Sequence, residues 1–510
     1  MSNRHDDRSS ARLQSASESK QSLEMTVSTL SSRRFTLEDQ LEFAEISGDW
    51  NPMHVDQIAA RRTIYGNVVV HGTHSLLWAL ECVAQIVSGK RGLSHLKTEF
   101  KRQVHLNDAV SCKLLAFNNR DFKLRLEAKG KVVVHIDGSF SQSFCELPGL
   151  PKNPSGTLCR DLTFEEITTA AGSLSLFLDE NRFGRLFPGV LRLLPNGQIA
   201  ELLTTTRLIG MECPGLHSIY SGHNLHFDKE NTDTHELRYE VARADGRFSM
   251  LWLNVKGPAV SGTITAFARP RPRTQAKVDV VRRAVSRDEF TKSRALVIGG
   301  SRGLGEITAK IIAAGGGDVW ITYYRGREDA ERVAQEIRSA GFKCCCSPFD
   351  STASSENLGE QFGTAWKPNQ LYYFATPPIS LEKGDWFSSE KFHNYCHFYV
   401  NAFASTVDAV LRLGGERLSV FYPSTIFLQE FQEHSTEYCA AKAAGELLCR
   451  HLEHRFPHVT VYAPRLPRMQ TDQTSGLVPV DAEDPLFSML NAIRAMIAES
   501  QKNHISDARA

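Results

Sequence analysis

No apolar run in this 510-residue chain reaches the roughly 18 residues that a membrane-spanning helix requires. An excess of one charge sign is missing as well. Lys and Arg number 59 against 58 Asp and Glu, a formal net charge of +1, which supplies no whole-molecule field for nucleic acid or an anionic bilayer. Residues 1–25 have no apolar core of the kind a secretory leader needs; they are polar and Ser-rich, and residues 1–30 read as a disordered lead-in. The eleven cysteines lack the paired spacing of metal ligands, and the consecutive Cys344, Cys345 and Cys346 point to alternate sides of a strand. They read as reduced thiols of a cytoplasmic protein, and no metal site is expected.

What remains is an ordinary globular composition, 41% hydrophobic and 23% charged, long enough for about two to four domains. Residues 31–147 open with helical patterns and close with strand patterns at 110–116, 122–128 and 131–140. Pro148, Pro151 and Pro154 then mark a linker. Residues 158–270 repeat the plan, with a helical stretch at 198–209 and strand patterns at 218–227, 234–243, 250–256 and 262–269. The Arg- and Pro-rich run from Ala268 to Arg273 reads as a solvated, exposed start to a linker over 271–292. Residues 293–510 alternate short apolar strands with helical patterns, which predicts a parallel sheet covered by helices on both faces.

Two strings carry chemistry. The first is Ser47-Gly48-Asp49-Trp50-Asn51-Pro52-Met53-His54. Pro52 ends the preceding helix and holds Asn51 extended, so a short loop aims the Asp49 carboxylate and the His54 imidazole at one point. Dehydrating a 3-hydroxyacyl thioester needs such a pair: one group removes the C2 proton, the other protonates the leaving C3 hydroxyl. The thioester oxygen meanwhile needs donors. Free N–H groups at the start of the helix after Val69-Val70-His71, above all that of Gly72, are placed to supply them. An isolated Asp-x4-His is most often a capped turn. The full string, with Asp56, Ala59, Gly66 and the later Phe100, Val104 and Asp108, closely resembles the MaoC-like, R-specific enoyl-CoA hydratase family over roughly residues 33–142.

That resemblance implies an α+β hotdog fold, a long helix wrapped by an antiparallel sheet. It implies Asp49 and His54 as the catalytic pair, Asn51 as a shaper of the site and Gly72 as the oxyanion donor. Thr73 and His74 stand where family members often have Met or Leu, which would narrow or polarise the acyl pocket. The 158–270 block looks like a second hotdog without an acid and base, making a double hotdog whose second half shapes the acyl tunnel. Its His217 and His223 read as structural.

The second string is Gly299-Gly300-Ser301-Arg302-Gly303-Leu304-Gly305, between a strand pattern and a helical one, followed later by Tyr438-x3-Lys442. Glycines at the start of a helix let a pyrophosphate approach its N–H groups. Tyr438 and Lys442 lie one helical turn apart, and a cationic Lys beside a phenol is expected to lower the phenol's pKa. Residues 293–475 resemble the short-chain dehydrogenase/reductase family, a Rossmann-type doubly wound α/β fold. By that match Gly299, Ser301, Gly303, Leu304 and Gly305 hold the cofactor phosphates, Asp350 meets the adenine, and Pro464 and Thr471 lie beside the nicotinamide amide. Asn401 matches the family's structural Asn, and the catalytic hydroxyl falls at Ser424 or Thr425. Arg325 stands in place of an acidic residue after the second strand and Arg302 lies inside the glycine loop; the two guanidinium groups suit a 2′-phosphate and predict NADP(H). The chain departs from the family at Phe374-Ala375-Thr376-Pro377, at Pro464-Arg465 and in lacking an evident seventh strand.

Both strings act on a 3-hydroxyacyl thioester. The expected protein is a bifunctional enzyme that reduces a 3-oxoacyl thioester and dehydrates the product, with the acyl group on coenzyme A or an acyl carrier protein. The rival readings are hydration followed by oxidation in acyl degradation, and a non-catalytic assembly module. Both family resemblances imply a homo-oligomer.

Overall fold

The computed structural model describes residues 27–144, 146–153, 158–228, 234–353, 358, 366–379, 386–477 and 480–507. Its first two blocks build one antiparallel sheet of ten strands. These are β1 (Ser28–Arg34), β2 (Gly92–Phe100), β3 (Ala109–Phe117), β4 (Asp121–Ala128), β5 (Lys131–Ser141), β6 (Ala171–Ser175), β7 (Ser218–Phe227), β8 (Glu236–Asp245), β9 (Met250–Lys256) and β10 (Val260–Ala268). The order is β1-β3-β4-β5-β2-β7-β10-β9-β8-β6. Read inward from either edge, the two halves have the same order, so β6–β10 reproduces β1–β5 strand for strand.

The halves join where β2 pairs antiparallel with β7, from His95 opposite His226 to Glu99 opposite Gly222. A Cβ on Gly222 would lie 2.4 Å from the Thr98 carbonyl oxygen, so only glycine allows the strands this approach. Each half wraps a helix. Gly72–Ala84 contains Leu76-Leu77-Trp78-Ala79-Leu80, apolar all round, as a fully enclosed helix must be. Its counterpart Asn196–Arg207 is buried yet carries polar side chains, of which Gln198 reaches across and Glu201 bonds within its own half. Gln198 bonds both the N–H and the carbonyl of Leu93, and Glu201 accepts from the N–H groups of Ala259 and Val260. A single apolar core runs from Phe35 to Ala266 through both halves. The edge strands β1 and β6 are mostly exposed, so no apolar alternation marks them in the sequence.

The linker expected over 271–292 is partly structured. Val278–Ala284 is a helix that buries Val278 and Val281 against the third block. The buried Lys310 holds this segment by donating to the Ala276 carbonyl at 3.1 Å while pairing with Glu306 and Glu336. Arg269, in the run read as solvated, is only 6% exposed.

The third block has β11 (Arg294–Ile298), β12 (Asp318–Tyr323), β13 (Cys344–Pro348), β14 (Gln370–Tyr373), β15 (Leu418–Phe421), the short β16 (Ser424–Thr425), β17 (Val459–Tyr462) and the short β18 (Arg465–Leu466). Six of them form a parallel sheet ordered β13-β12-β11-β14-β15-β17, and β16 pairs with β18. One apolar cluster covers each face. The order reverses between β11 and β14, which opens a crevice at the strand ends where such sheets bind ligands. After β18 the chain continues into the helix Pro485–Asp507 without a further strand among the described residues. Among those residues no helix is long and apolar enough to cross a membrane, and ten cysteines are free.

Candidate active sites

The first site is built by the turn after the helix Leu37–Ser47. Gly48 ends that helix in the left-handed region (φ 71°), which turns Asp49 inward. Asn51 caps the next turn, its side-chain oxygen accepting from the Met53 N–H. Asp49, only 1% exposed, accepts from the Asn51 N–H at 3.2 Å and from the Thr206 hydroxyl at 2.7 Å. The π-helical turn Leu208–Glu212 presses against it: a Cβ on Gly210 would fall 2.1 Å from a carboxylate oxygen.

His54 donates from Nδ1 to the Val69 carbonyl at 2.7 Å, leaving Nε2 as the basic nitrogen. His71 stacks on His54 with ring centroids 3.9 Å apart. It is braced by the Asp49 main-chain oxygen and the Gln40 side chain, each at 3.0 Å. One ligating atom each of Asp49, His54 and His71 lie within 4.8 Å of one another.

Burial raises Asp49 to about 6, against the opposing Thr206 and Asn51 bonds. Burial lowers His54 to about 4, with the Arg269 charge acting the same way. The carboxyl and the imidazole thus sit in reversed order, the carboxyl keeping its proton to higher pH than the imidazole does.

Asn51 lies in the turn beside Asp49, and Gly72 lies at the start of the enclosed helix. The Asn51 amide nitrogen donates to the carbonyls of Gly210 (2.9 Å) and Gly215 (3.1 Å), tying the turn to the second half. Gly72 opens the helix Gly72–Ala84, and its N–H has no partner among the described residues. A Cβ there would lie 3.0 Å from the Phe100 ring. His74, expected to polarise the acyl pocket, is instead enclosed by Phe35, Phe43 and Phe187 and bonded to Gln40. Sequence reasoning missed Thr206, Gly210 and Arg269. One signal was available: Thr204-Thr205-Thr206-Arg207 is a polar run on a helix that is otherwise core.

At the second site the glycine turn leads from β11 into the helix Gly303–Ala314. Gly303 is left-handed (φ 57°), with only Thr471 near it, at 3.9 Å from an added Cβ, and a Cβ on Gly305 would strike the Gly299 carbonyl at 2.3 Å. Ser301 and Leu304 sit in this turn. A helix N-terminus behind an uncluttered glycine turn fits a dinucleotide pyrophosphate. Arg325 is exposed on the turn after β12 and lies 5.0 Å over the Tyr324 ring. Asp350, beyond β13, accepts from the Thr352 N–H and hydroxyl. Pro464 accepts from the Ser424 N–H at 2.9 Å. Arg302 is not open toward a cofactor: its guanidinium bonds the Arg61 carbonyl at 2.9 Å and lies 3.4 Å from Asp472.

Thr425 lies close enough to the Tyr438 phenol to oppose the rise of its pKa, whereas Ser424 donates to Glu446, which also holds Arg465. Two expectations are corrected. Asn401 is exposed on the π-helical turn His397–Ala402 and stays out of the site; the same turn sends Tyr399 inward instead, its hydroxyl 2.6 Å from Thr376. Lys442 does not hold the phenol acidic. Its Nζ donates to the Pro423 carbonyl at 2.6 Å and lies 3.9 Å over the Tyr399 ring but 5.9 Å from the Tyr438 ring. Burial lowers Lys442 to about 7 and pushes the Tyr438 phenol up, with Thr425 opposing.

Comparison with known proteins agrees with this division. Residues 18–137 match the family model of the MaoC like domain, and residues 293–477 match that of the short chain dehydrogenase. The mitochondrial 3-hydroxyacyl-[acyl-carrier-protein] dehydratase of Arabidopsis thaliana is 28% identical over 131 residues, 24% of this chain and 78% of that protein. Among solved structures, a short chain dehydrogenase from Burkholderia cenocepacia in complex with NADP is 22% identical (TM-score 0.38, 43% of this chain, 94% of that one). A 3-oxoacyl (acyl-carrier-protein) reductase from Agrobacterium tumefaciens with NADP bound is 19% identical (TM-score 0.32, 35% and 71%).

Proposed function

We propose that this chain, which carries a MaoC-like domain followed by a short-chain dehydrogenase domain, reduces 3-oxoacyl thioesters with NADPH in the second and dehydrates the resulting (R)-3-hydroxyacyl thioesters in the first. The observation that carries the reading is the convergence of Asp49 and His54 with reversed proton affinities. In dehydration His54 Nε2 takes the C2 proton, and the protonated Asp49 carboxyl gives its proton to the C3 hydroxyl, which leaves as water. The Gly72 N–H faces the charge that develops on the thioester oxygen. Return of the proton from imidazolium to carboxylate resets the pair.

In the reductase, the glycine turn with Ser301 would hold the pyrophosphate, Asp350 the adenosine, and Pro464 and Thr471 the carboxamide. The dihydronicotinamide supplies the hydride when bound. Thr425 orients the substrate carbonyl, and Tyr438 donates its proton to the oxygen that becomes the hydroxyl. A phenol pushed upward in pKa is held in its protonated form, the form that reduction consumes and oxidation would have to deprotonate. The acyl carrier of the Arabidopsis relative's name makes an acyl carrier protein thioester the first substrate to try, beside coenzyme A.

The test is to incubate the purified full chain with a series of 3-oxoacyl thioesters and NADPH. Expected are loss of NADPH and, by mass, accumulation of the 2-enoyl thioester. Absence of both with every chain length and both carriers contradicts the reading. Faster conversion of enoyl thioester and NADP to 3-oxoacyl product would assign the chain to degradation instead.

A further inference from the structure

The segment from Arg61 to Gly66, a few residues beyond His54, lies against the cofactor end of the reductase sheet. Arg61 and Arg62 both pair with Asp329, in the first turn of the helix Arg327–Ser339. The Arg61 guanidinium rests on the backbone of Gly326, where any Cβ would collide with it. The Arg61 carbonyl accepts from Arg302 of the glycine turn at 2.9 Å. Gly66 packs on Pro378 beyond β14, 3.2 Å from an added Cβ.

Gly326 belongs to the turn after β12, the place where a doubly wound sheet reads the substituent on the ribose 2′ oxygen. Charge there is unbalanced among the described residues. Arg61, Arg62 and Arg302 face the carboxylates of Asp329 and Asp472, and Arg325 adds a fourth guanidinium on the same turn. The side chains of Arg61 and Arg62 are only 16% and 18% exposed. The Arg61 Nε is buried with no acceptor among the described residues. A buried guanidinium N–H without an acceptor is unfavourable, and a dianionic group with several oxygens is the ligand that would satisfy it.

We propose that the dehydratase domain supplies Arg61 and Arg62 to the reductase's cofactor site, where they read the 2′-phosphate of NADP(H). This rests on the NADPH-dependent reductase reading above. Cofactor choice is then decided by side chains outside the Rossmann domain, and cofactor binding is linked to the contact between the two domains.

The experiment titrates the full chain and its Arg61→Ala and Arg62→Ala variants with NADPH, NADH, 2′,5′-ADP and 5′-AMP by calorimetry. The variants are expected to bind NADPH and 2′,5′-ADP about 10- to 100-fold more weakly, as loss of a charge-assisted contact predicts. Their affinity for NADH and 5′-AMP is expected to change by less than about twofold. Arg61→Lys retains a cation for Asp329 if alanine unseats the domains, and is expected to lose an intermediate amount for the phosphorylated ligands alone. Unchanged NADPH binding, equal weakening of all four ligands, or tighter binding in the variants overturns the assignment; the last would mean that the arginines block the site. A wild-type chain that binds neither dinucleotide refutes the reductase reading itself. A wild type selective for NADPH with unaltered variants refutes only the role of the two arginines.

Discussion

Thr206 donates its hydroxyl to the Asp49 carboxylate at 2.7 Å across the seam between the two halves of the ten-stranded sheet. The second half therefore sets the proton affinity of this carboxyl in the first. It supplies the burial that raises Asp49 and the hydrogen bond that restrains the rise.

Thr206→Val removes the restraint and keeps the shape. The wild-type profile of kcat/KM for dehydration is expected to be bounded near pH 4 by His54 and near pH 6 by Asp49. In the variant the upper limb should move to higher pH by about one unit, the worth of one hydrogen bond to a charged group. A limb that stays put or moves down contradicts the role given to Thr206.

Asp49→Asn should stop dehydration while making the folded domain more stable at alkaline pH. The folded pKa of about 6 exceeds the ordinary 3.8. The contribution of this carboxyl is therefore fully present below the unfolded value and is lost as pH rises through the folded one. Asparagine accepts from the Asn51 N–H and donates to Thr206, with no charge to bury. Stability at pH 8 should rise by roughly 2–3 kcal/mol, with little difference at pH 4. Thermal unfolding at the two pH values reads this directly, and a loss of stability at pH 8 would refute it.

Thr425→Val and Ser424→Ala separate the adjacent hydroxyls. The first removes the hydroxyl beside Tyr438 and is expected to slow turnover of 3-oxoacyl thioesters by about 100-fold. The second breaks the bond to Glu446 and should leave turnover within about threefold of the wild type while costing about 1 kcal/mol of stability. The opposite ranking in steady-state assays would assign the chemistry to Ser424.

Lys442 is held near pKa 7 by burial, below its ordinary 10.5. For a base shifted down, the contribution to stability is present above the unfolded value and lost as pH falls through the folded one. A phosphate-bearing dinucleotide favours the ammonium, so NADPH binding at pH 8 should take up part of a proton. Calorimetry in buffers of different ionisation enthalpy measures that uptake. It should vanish in Lys442→Met, and buffer-independent enthalpy in the wild type would refute the expectation.

The reactive turn was legible because its chemistry needs particular residue types within one short loop. Gly48 at a left-handed helix end, Pro52 after Asn51, and His54 beyond them are local requirements that the sequence displays. The glycine turn and Tyr438-x3-Lys442 are local in the same sense, and the alternation of strand and helix in 293–510 announced its parallel sheet. Strands β1 and β6 left no such mark, because exposed edge strands have no apolar face to repeat.

Proton affinities belong to the other class. Asp49 is raised to about 6 by burial beneath Gly210, with the bond from Thr206, 157 residues away, opposing the rise. Tyr438 is pushed up by burial, and Lys442, with its Nζ over the Tyr399 ring, does not offset the rise. By itself, the order of residues marked the candidate side chains and the two folds that present them. Only the tertiary structure decided how those side chains are charged, which hydroxyl lies beside Tyr438 and which arginines reach the cofactor end of the sheet. The physical reason is that burial and hydrogen bonding set the energy of a charge, and both come from whatever the folded chain brings alongside.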